Sequence, residues 1–182
     1  MTSTADRTQE LQDPDGSTSG LPASDEFSIF TGEAVHSLRD MLTEVTFTPG
    51  PGEEFAATSM FNGLRSLVPF CHAGSEGFSI VRVYLAPNYI LPAHTHDSDC
   101  LYYVLQGRAI LGKRVIEPGG GFFVPAGKAY GYTAGAEGAE VLEFRHATTT
   151  DFHETERSPA RWQKILENAE RNDGWKDADL PY

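Results

Sequence analysis

Two histidines separated by a single residue, His94 and His96, begin the part of the chain whose residue types and spacing best suit chemistry. On an extended chain, residues two apart project from the same face, so both imidazoles point to one side. After a short polar bend at residues 97–99, Cys100 and Tyr102 again share one face of a strand. If both strands turn these faces inward, two imidazoles, a thiol and a phenol meet at one point.

This convergence predicts a metal site. Neutral imidazole suits iron, zinc, copper and nickel, and a thiolate shifts the preference towards zinc and copper. We therefore expect one divalent transition metal ion (Fe, Zn or Cu), held by His94, His96 and Cys100, with His146 as a further ligand if its strand face is interior. The alternative is that the site binds no metal and that Cys100 is a small buried apolar side chain.

The same stretch resembles the first sequence motif of the cupin family, H-x-H-x-x-x-E followed by six residues and a glycine. His94, His96 and Gly107 match this motif, and Cys100 stands where the family has its glutamate. The resemblance therefore implies that this stretch forms the two strands and the turn that carry a cupin's metal ligands.

A second motif extends the resemblance, which covers roughly residues 88 to 132. The family pattern is a glycine, five residues and P-x-G-x-x-H; here Gly119, Pro125 and Gly127 match, and Tyr130 stands in the place of the histidine. The resemblance implies an all-β fold, the double-stranded β-helix also called the jelly-roll or cupin barrel. It also makes Tyr130 a candidate for metal binding or catalysis.

The rest of the chain fits one barrel with additions at both ends. Many short strands separated by Gly- and Pro-rich turns are typical of an antiparallel barrel or sandwich. We expect a disordered acidic tail at 1–24, the barrel at 25–154 with a short helical segment near its start, and a C-terminal helix with a docking tail at 155–182. Ser158 and Pro159 signal the helix start, and its apolar stripe is Trp162, Ile165, Leu166 and Ala169.

Charge and hydropathy exclude two classes of partner. The net charge of −12 argues against nucleic acid and against an acidic lipid surface, because both are bound by basic residues. No apolar run approaches the length that spans a bilayer, and the N-terminus lacks a signal-peptide core. We therefore expect a cytoplasmic protein that binds a small molecule.

The strand predicted at 78–85 leaves the cavity wall open to two interpretations. If the face with Phe78, Ile80, Arg82 and Tyr84 is interior, Arg82 can hold a substrate carboxylate. If the opposite face is interior, Arg82 is a surface charge and the wall is aliphatic. Candidate substrate-binding residues are Arg82, Tyr84, Tyr132 and Phe144.

The predicted site and the family resemblance are consistent with three functions. The way the cupin family is populated favours a metal-dependent dioxygenase-type oxidoreductase. The second is a lyase or isomerase in which Tyr102, its pKa lowered beside a metal, is the general base, as in similar cupin-type lyases; Tyr130 is a second catalytic candidate. The third is a non-catalytic binding or sensing module. The exposed edge of a small barrel, together with the resemblance, predicts a homodimer.

Overall fold

The structure of the protein, a computed structural model, describes residues 29–30, 36–37, 42–72, 77–148 and 150–175. These residues form mainly β-strands with two helices. In chain order the elements are β1 His36–Ser37, β2 Leu42–Thr46, α1 Pro51–Thr58, β3 Leu64–His72, β4 Phe78–Leu85, β5 His94–Thr95, β6 Cys100–Leu111, β7 Arg114–Ile116, β8 Gly121–Val124, β9 Thr133–Arg145, β10 Thr150–Glu154 and α2 Pro159–Arg171. The predicted tail at 1–24 lies outside the described residues.

Two sheets enclose the core. The larger has the order β1-β3-β4-β9-β6-β7, with β8 also paired to β6, and its pairings are antiparallel. The smaller has the order β2-β10-β5. An isolated bridge from His94 to Tyr130 joins the second motif to the first, and another joins Ile90 to Thr133. This arrangement confirms the predicted all-β fold of mainly antiparallel strands.

The interior of the larger sheet is filled by small and β-branched side chains together with three tyrosines. Val81, Val104 and Val141, on adjacent strands, are fully buried. Tyr89, Tyr102 and Tyr132 are each 1% exposed and belong to the same cluster. Alternation along each strand therefore gives one inward face, and the polar residues on that face define the site described below.

The C-terminal helix confirms its predicted start and stripe. Ser158 caps α2, its hydroxyl accepting the backbone N–H of Arg161, and Pro159 occupies the first turn. Trp162, Ile165 and Ala169 are buried, with Leu166 packed beside them, against Phe55 of α1. The helix thus closes one end of the barrel with a second, smaller apolar cluster. No helix in the described part of the chain is long and apolar enough to cross a bilayer.

Two local features differ from the sequence analysis. The short helix expected near the start of the barrel falls largely on residues outside the described ranges, and the described residues 36–37 and 42–46 are strands. A helix begins instead at Pro51, within the run Pro49-Gly50-Pro51-Gly52. From the sequence, prolines and glycines this close together predict an interruption of regular secondary structure. Proline is tolerated in the first turn because its missing N–H would lack an intrahelical partner there.

The motif glycine at Gly107 is required by both its conformation and its surroundings. Its φ is +64°, and a Cβ there would lie 2.1 Å from the carbonyl oxygen of Gly138 on the neighbouring strand. Gly112 has a similar φ of +59° but nothing within 4 Å of its hypothetical Cβ. Substitutions at Gly107 and Gly112 therefore separate the cost of a left-handed backbone from the cost of a steric clash.

We expect Gly107→Ala to lower the free energy of unfolding by more than about 3 kcal/mol and Gly112→Ala by only about 1 kcal/mol. Both variants carry the cost of a left-handed alanine, and only the first also forces two strands apart. Denaturant unfolding followed by circular dichroism measures both values. Equal losses in the two variants would contradict the close strand approach at Gly107.

Candidate active site

The two motif histidines lie inside the barrel with their rings fixed by backbone carbonyls. His94 and His96 are 2% and 5% exposed. Nδ1 of His94 donates to the carbonyl oxygen of Pro92 at 2.8 Å, and Nδ1 of His96 to that of Asp151 at 2.6 Å. This arrangement places the hydrogen of each ring on Nδ1 and leaves a lone pair on each Nε2. Burial, together with the neighbouring His96 ring, lowers the pKa of His94 well below its ordinary value, so this ring is neutral.

Both Nε2 atoms converge on the hydroxyl of Tyr130. The oxygen lies 2.8 Å from Nε2 of His94 and 3.1 Å from Nε2 of His96. A phenol has one hydrogen, so it can donate to only one of these nitrogens. Nη2 of Arg145 lies 3.0 Å from Nε2 of His96 and donates to that ring. Nε2 of His94 and Nε2 of His96 thus both point at the Tyr130 oxygen, and the His96 atom also accepts from Arg145.

A carboxylate joins the cluster from the neighbouring strand. Glu143 on β9 lies opposite Tyr102 on β6, and the Tyr102 hydroxyl donates to its Oε1 at 2.8 Å. Nη2 of Arg145 is 2.7 Å from the same oxygen. The hydroxyls of Tyr102 and Tyr130 are also in direct hydrogen-bond contact. A row of close polar contacts therefore runs from Glu143 through two phenols to the histidine pair, and its three links share two phenol hydrogens.

The buried charges of this cluster do not cancel. Burial raises the pKa of Glu143, but the Arg145 guanidinium and His96 outweigh burial, and the net pKa is lowered. Asp151 behaves similarly: burial raises its pKa, and bonds from His96 and the Asp97 N–H bring it down to about 2. Both are carboxylates at neutral pH, and Arg145 is the cation between them, with Nη1 3.5 Å from Oδ1 of Asp151. Among these three groups, two negative charges face one positive charge.

Arg145 also has unsatisfied donors. Its side chain is 2% exposed, and neither Nε nor Nη1 has a hydrogen-bond partner among the described residues. A buried guanidinium normally has every N–H paired, because each unpaired donor carries its full desolvation cost. Arg145 lines the central cavity, so these N–H groups are positioned to bind an oxygen atom of a ligand.

The cavity itself is small and mostly apolar, with a volume of about 60 Å³. Its polar end holds the cluster, and hydrocarbon from Leu64, Val83, Leu91 and Phe152 lines the remainder. A cavity of this size admits a few water molecules or a molecule of only several heavy atoms. The site therefore suits a small organic ligand with one charged end.

Of the residues named from the sequence, five meet in this cavity: His94, His96, Tyr102, Tyr130 and Tyr132. Cys100 lies beside them at 1% exposure, with donor atoms of His96, Cys100 and Glu143 all within 4.8 Å of one another. Its Sγ contacts the carbonyl oxygen of Ser98 at 3.5 Å. Burial and the neighbouring Glu143 raise the pKa of the Cys100 thiol to about 12, so the sulfur is protonated.

The other four residues lie outside the cavity. On β4 the inward residues include Val81 and Val83, so Arg82 projects outward, where its Nε donates to Glu140 at 2.7 Å. Tyr84 is buried beneath the Arg82 guanidinium, which lies 5.2 Å from its ring centroid. The structure agrees with the second interpretation of this strand, in which the cavity wall is aliphatic. Arg82 and Tyr84 therefore do not line the cavity, in contrast to the prediction from the sequence.

The last long strand is turned the opposite way from the sequence expectation. Glu143 and Arg145 on β9 face inward, whereas Phe144 faces outward against Phe78, and His146 is exposed beyond the strand end. The apolar residues suggested the inner face because apolar faces usually pack on a core. Here the outer face is the apolar one. Glu143 and Arg145 stand out in the sequence as opposite charges at alternate positions of a predicted strand, but alternation does not show that their face is the inner one.

The missing family glutamate thus has a counterpart in space. The first motif has Cys100 in the glutamate position, and Glu143 supplies a carboxylate to the same cluster from the adjacent strand. Glu143, Arg145 and Asp151 were all missed from the sequence, because no local spacing links them to His94 and His96. The pairing of β9 with β6 brings Glu143 and Arg145 to the site, and the pairing of β10 with β5 brings Asp151.

The residues present fit a divalent metal ion. The Nε2 atoms of His94 and His96 both point at the Tyr130 oxygen, and each ring is held through its other nitrogen by a backbone carbonyl, as metal-ligating histidines are. The carboxylates of Glu143 and Asp151 beside them favour a cation. Imidazole nitrogen with carboxylate or phenolate oxygen suits zinc, iron or copper. His94 and His96 would hold it, with the Tyr130 oxygen between them and a Glu143 oxygen within 4.8 Å of a His96 nitrogen; the protonated Cys100 thiol is less suited.

No family model and no curated protein matches this sequence. Among solved structures, an RmlC-like cupin from Shewanella frigidimarina is 20% identical, over 46% of this chain and 76% of its own, with a TM-score of 0.41. A cupin-like protein of unknown function from Ralstonia eutropha is 16% identical over 66% and 83%, with a TM-score of 0.41. The polyketide cyclase RemF from Streptomyces resistomycificus is 18% identical over 60% and 83%, with a TM-score of 0.46.

Each TM-score lies below 0.5, so these similarities establish neither the fold nor the function of this chain. The fold is shown by the chain's own strand pairing, and its chemistry depends on its own side chains.

Proposed function

We propose that the protein is a metal-dependent enzyme that moves a proton on a small organic acid, as a lyase or an isomerase does. The observation that carries this proposal is the row of polar contacts from the paired Nε2 atoms of His94 and His96 through Tyr130 and Tyr102 to Glu143. Its three links share two phenol hydrogens, so a proton taken up at the histidine end can be passed along the row inside one cavity.

Tyr130 is the group best placed to take the proton. Burial and the neighbouring Glu143 raise the pKa of both Tyr102 and Tyr130 well above the ordinary value, so neither phenol is a base unaided. A divalent ion at the histidine pair would supply the charge that lowers the pKa of an adjacent phenol and polarises a ligand carbonyl. Tyr130 contacts both Nε2 atoms, whereas the Tyr102 hydroxyl already donates to Glu143. This geometry supports Tyr130 as the base and Tyr102 as the relay.

Arg145 supports an anionic substrate. Arg145 lines the cavity, and its Nε–H and Nη1–H groups, which lack hydrogen-bond partners among the described residues, match a carboxylate or carbonyl oxygen. A monoanionic ligand, a divalent ion and the existing charges of Glu143, Asp151 and Arg145 would together be neutral. The size of the cavity limits the substrate to a small acid.

The test is hydrogen exchange in ²H₂O under anaerobic conditions. Metal-loaded protein is incubated with a panel of small hydroxy, keto and β-substituted carboxylic acids, and loss of carbon-bound hydrogen is followed by ¹H NMR. We expect exchange or elimination with at least one acid, and a decrease of at least about 100-fold in Tyr130→Phe. Tyr103→Phe, the same change on the outward face of β6, should have no effect.

Two outcomes would contradict this proposal. Turnover that requires dioxygen would favour the dioxygenase predicted from the family resemblance. Stabilisation by an acid without metal and without exchange would favour a binding module.

A further inference from the structure

Met60 belongs to the wall of the central cavity although it lies outside the barrel strands. It follows α1 in the linker of residues 59–63, which leads into β3 at Leu64. Together with Leu64 and Leu91 it lines the apolar part of the cavity. The length of an apolar tail that fits beside the polar cluster therefore depends on a side chain that this linker supplies.

The backbone of Met60 is held in place by hydrogen bonds. The hydroxyl of Tyr89, a residue that is only 1% exposed, donates to the carbonyl oxygen of Met60 at 2.9 Å. A backbone hydrogen bond of 2.9 Å, donated by Asn62 to Ser59, closes the turn around Met60. Because the backbone is fixed at this point, the size of the side chain at position 60 decides how far the cavity extends.

Met60 also packs against the second apolar cluster, formed by Phe55 of α1 and by Trp162, Ile165 and Ala169 of α2. Among the residues that the structure describes, it is the one side chain that both lines the cavity and packs against this cluster. Methionine is unbranched and has several rotatable bonds, so it fills irregular gaps between packed groups. Met60 therefore separates the cavity from the helix pair, and a shorter side chain would extend the cavity towards α1 and α2.

We propose that Met60 limits the substrate to an acid with a short apolar tail, and that this tail lies against the Met60 side chain. The inference rests on the proposed function, in which Arg145 binds the acid group. A cavity of about 60 Å³ leaves space for a tail of about three carbon atoms beside the bound carboxylate. A longer tail would need the space that the Met60 side chain occupies.

The test is a chain-length series measured by isothermal titration calorimetry. Unbranched carboxylic acids from acetate to octanoate are titrated into the wild type and into Met60→Ala, each with and without zinc. In the wild type, affinity should rise to about butyrate and fall with longer acids. Met60→Ala removes the side-chain atoms beyond Cβ, so its best acid should be longer by about three carbons, and each further buried methylene should raise the affinity about threefold to fourfold.

Two control variants separate the size of the cavity from a general loss of packing. Met60→Leu keeps a side chain of similar volume and should keep the wild-type chain-length limit. Leu166→Ala shortens a side chain that packs against the same helix cluster but does not line the cavity, and it should also keep this limit. If circular dichroism shows that Met60→Ala is unfolded, Met60→Val takes its place and should still accept longer acids than the wild type.

The outcomes distinguish this inference from the proposed function. An unchanged limit in Met60→Ala, with short acids still bound, would overturn the inference and leave the proposed function standing, and so would an equal shift in Leu166→Ala. Binding of no acid by any of these proteins would overturn the inference together with the proposed anionic substrate. A shifted limit in a protein that exchanges no carbon-bound hydrogen would support the role of Met60 and count against the proposed reaction.

Discussion

Replacing Arg145 with methionine is expected to lower the free energy of unfolding by about 3–5 kcal/mol, the usual cost of removing one partner from a buried ion pair. Arg145 is 2% exposed and lies between the carboxylates of Glu143 and Asp151. Without the guanidinium, two buried negative charges would remain inside the barrel with no cation beside them. Denaturant unfolding at neutral pH measures the loss.

Two variants make this prediction specific. Arg108→Met removes the same side chain from an exposed pair with Glu117, and should cost less than about 1 kcal/mol. The double variant Glu143→Gln with Arg145→Met should recover part of the loss, because it removes a charge that the single variant leaves unpaired. A loss in Arg145→Met no larger than in Arg108→Met would show that the buried charge cluster is absent in solution.

The second large effect concerns metal. We expect His94→Ala to weaken binding of a divalent transition metal by more than about 100-fold, since it removes one of the two imidazole donors that meet at Tyr130. The measurement is competition with a chelator on apo protein, supported by elemental analysis of protein purified without added metal. His94 is buried, so circular dichroism must first show that the variant is folded.

Two further substitutions distinguish the predicted ligands. His146→Ala should leave the metal affinity unchanged, because this imidazole is on an exposed residue beyond the end of β9. Cys100→Ala should also retain most of the affinity, because burial and Glu143 keep the thiol protonated. Wild-type protein that binds no transition metal above the level of His94→Ala would exclude the metal site and, with it, the proposed enzyme.

The predictable features of the chain were those encoded locally. The turn at Gly107, the turns around Pro125 and Gly127 and the cap at Ser158 depend on residues with special backbone conformations or capping groups. Those residue types are visible in the sequence at fixed spacings. Strand alternation places His94 and His96 on one face, and the family resemblance implies that this face is the inner one.

The faces of β4 and β9 were less predictable. Alternation divides a strand into two faces but does not say which is interior. The usual assumption that the apolar face is the inner one places Phe144 and His146 in the cavity; in the structure that position belongs to Glu143 and Arg145. The assumption fails here because Phe144 packs against other apolar side chains on the outside of the sheet, among them Phe78 and Leu101.

The sequence alone determined the barrel, the histidine pair and the C-terminal helix, because each is written in residues close together along the chain. Only the tertiary structure decided what surrounds the histidines. Glu143 and Arg145 lie more than forty residues beyond Cys100, and they reach it through the pairing of β9 with β6. Strand register is set by the packing of the whole sheet, so no local pattern could have shown that a carboxylate and a guanidinium join this site.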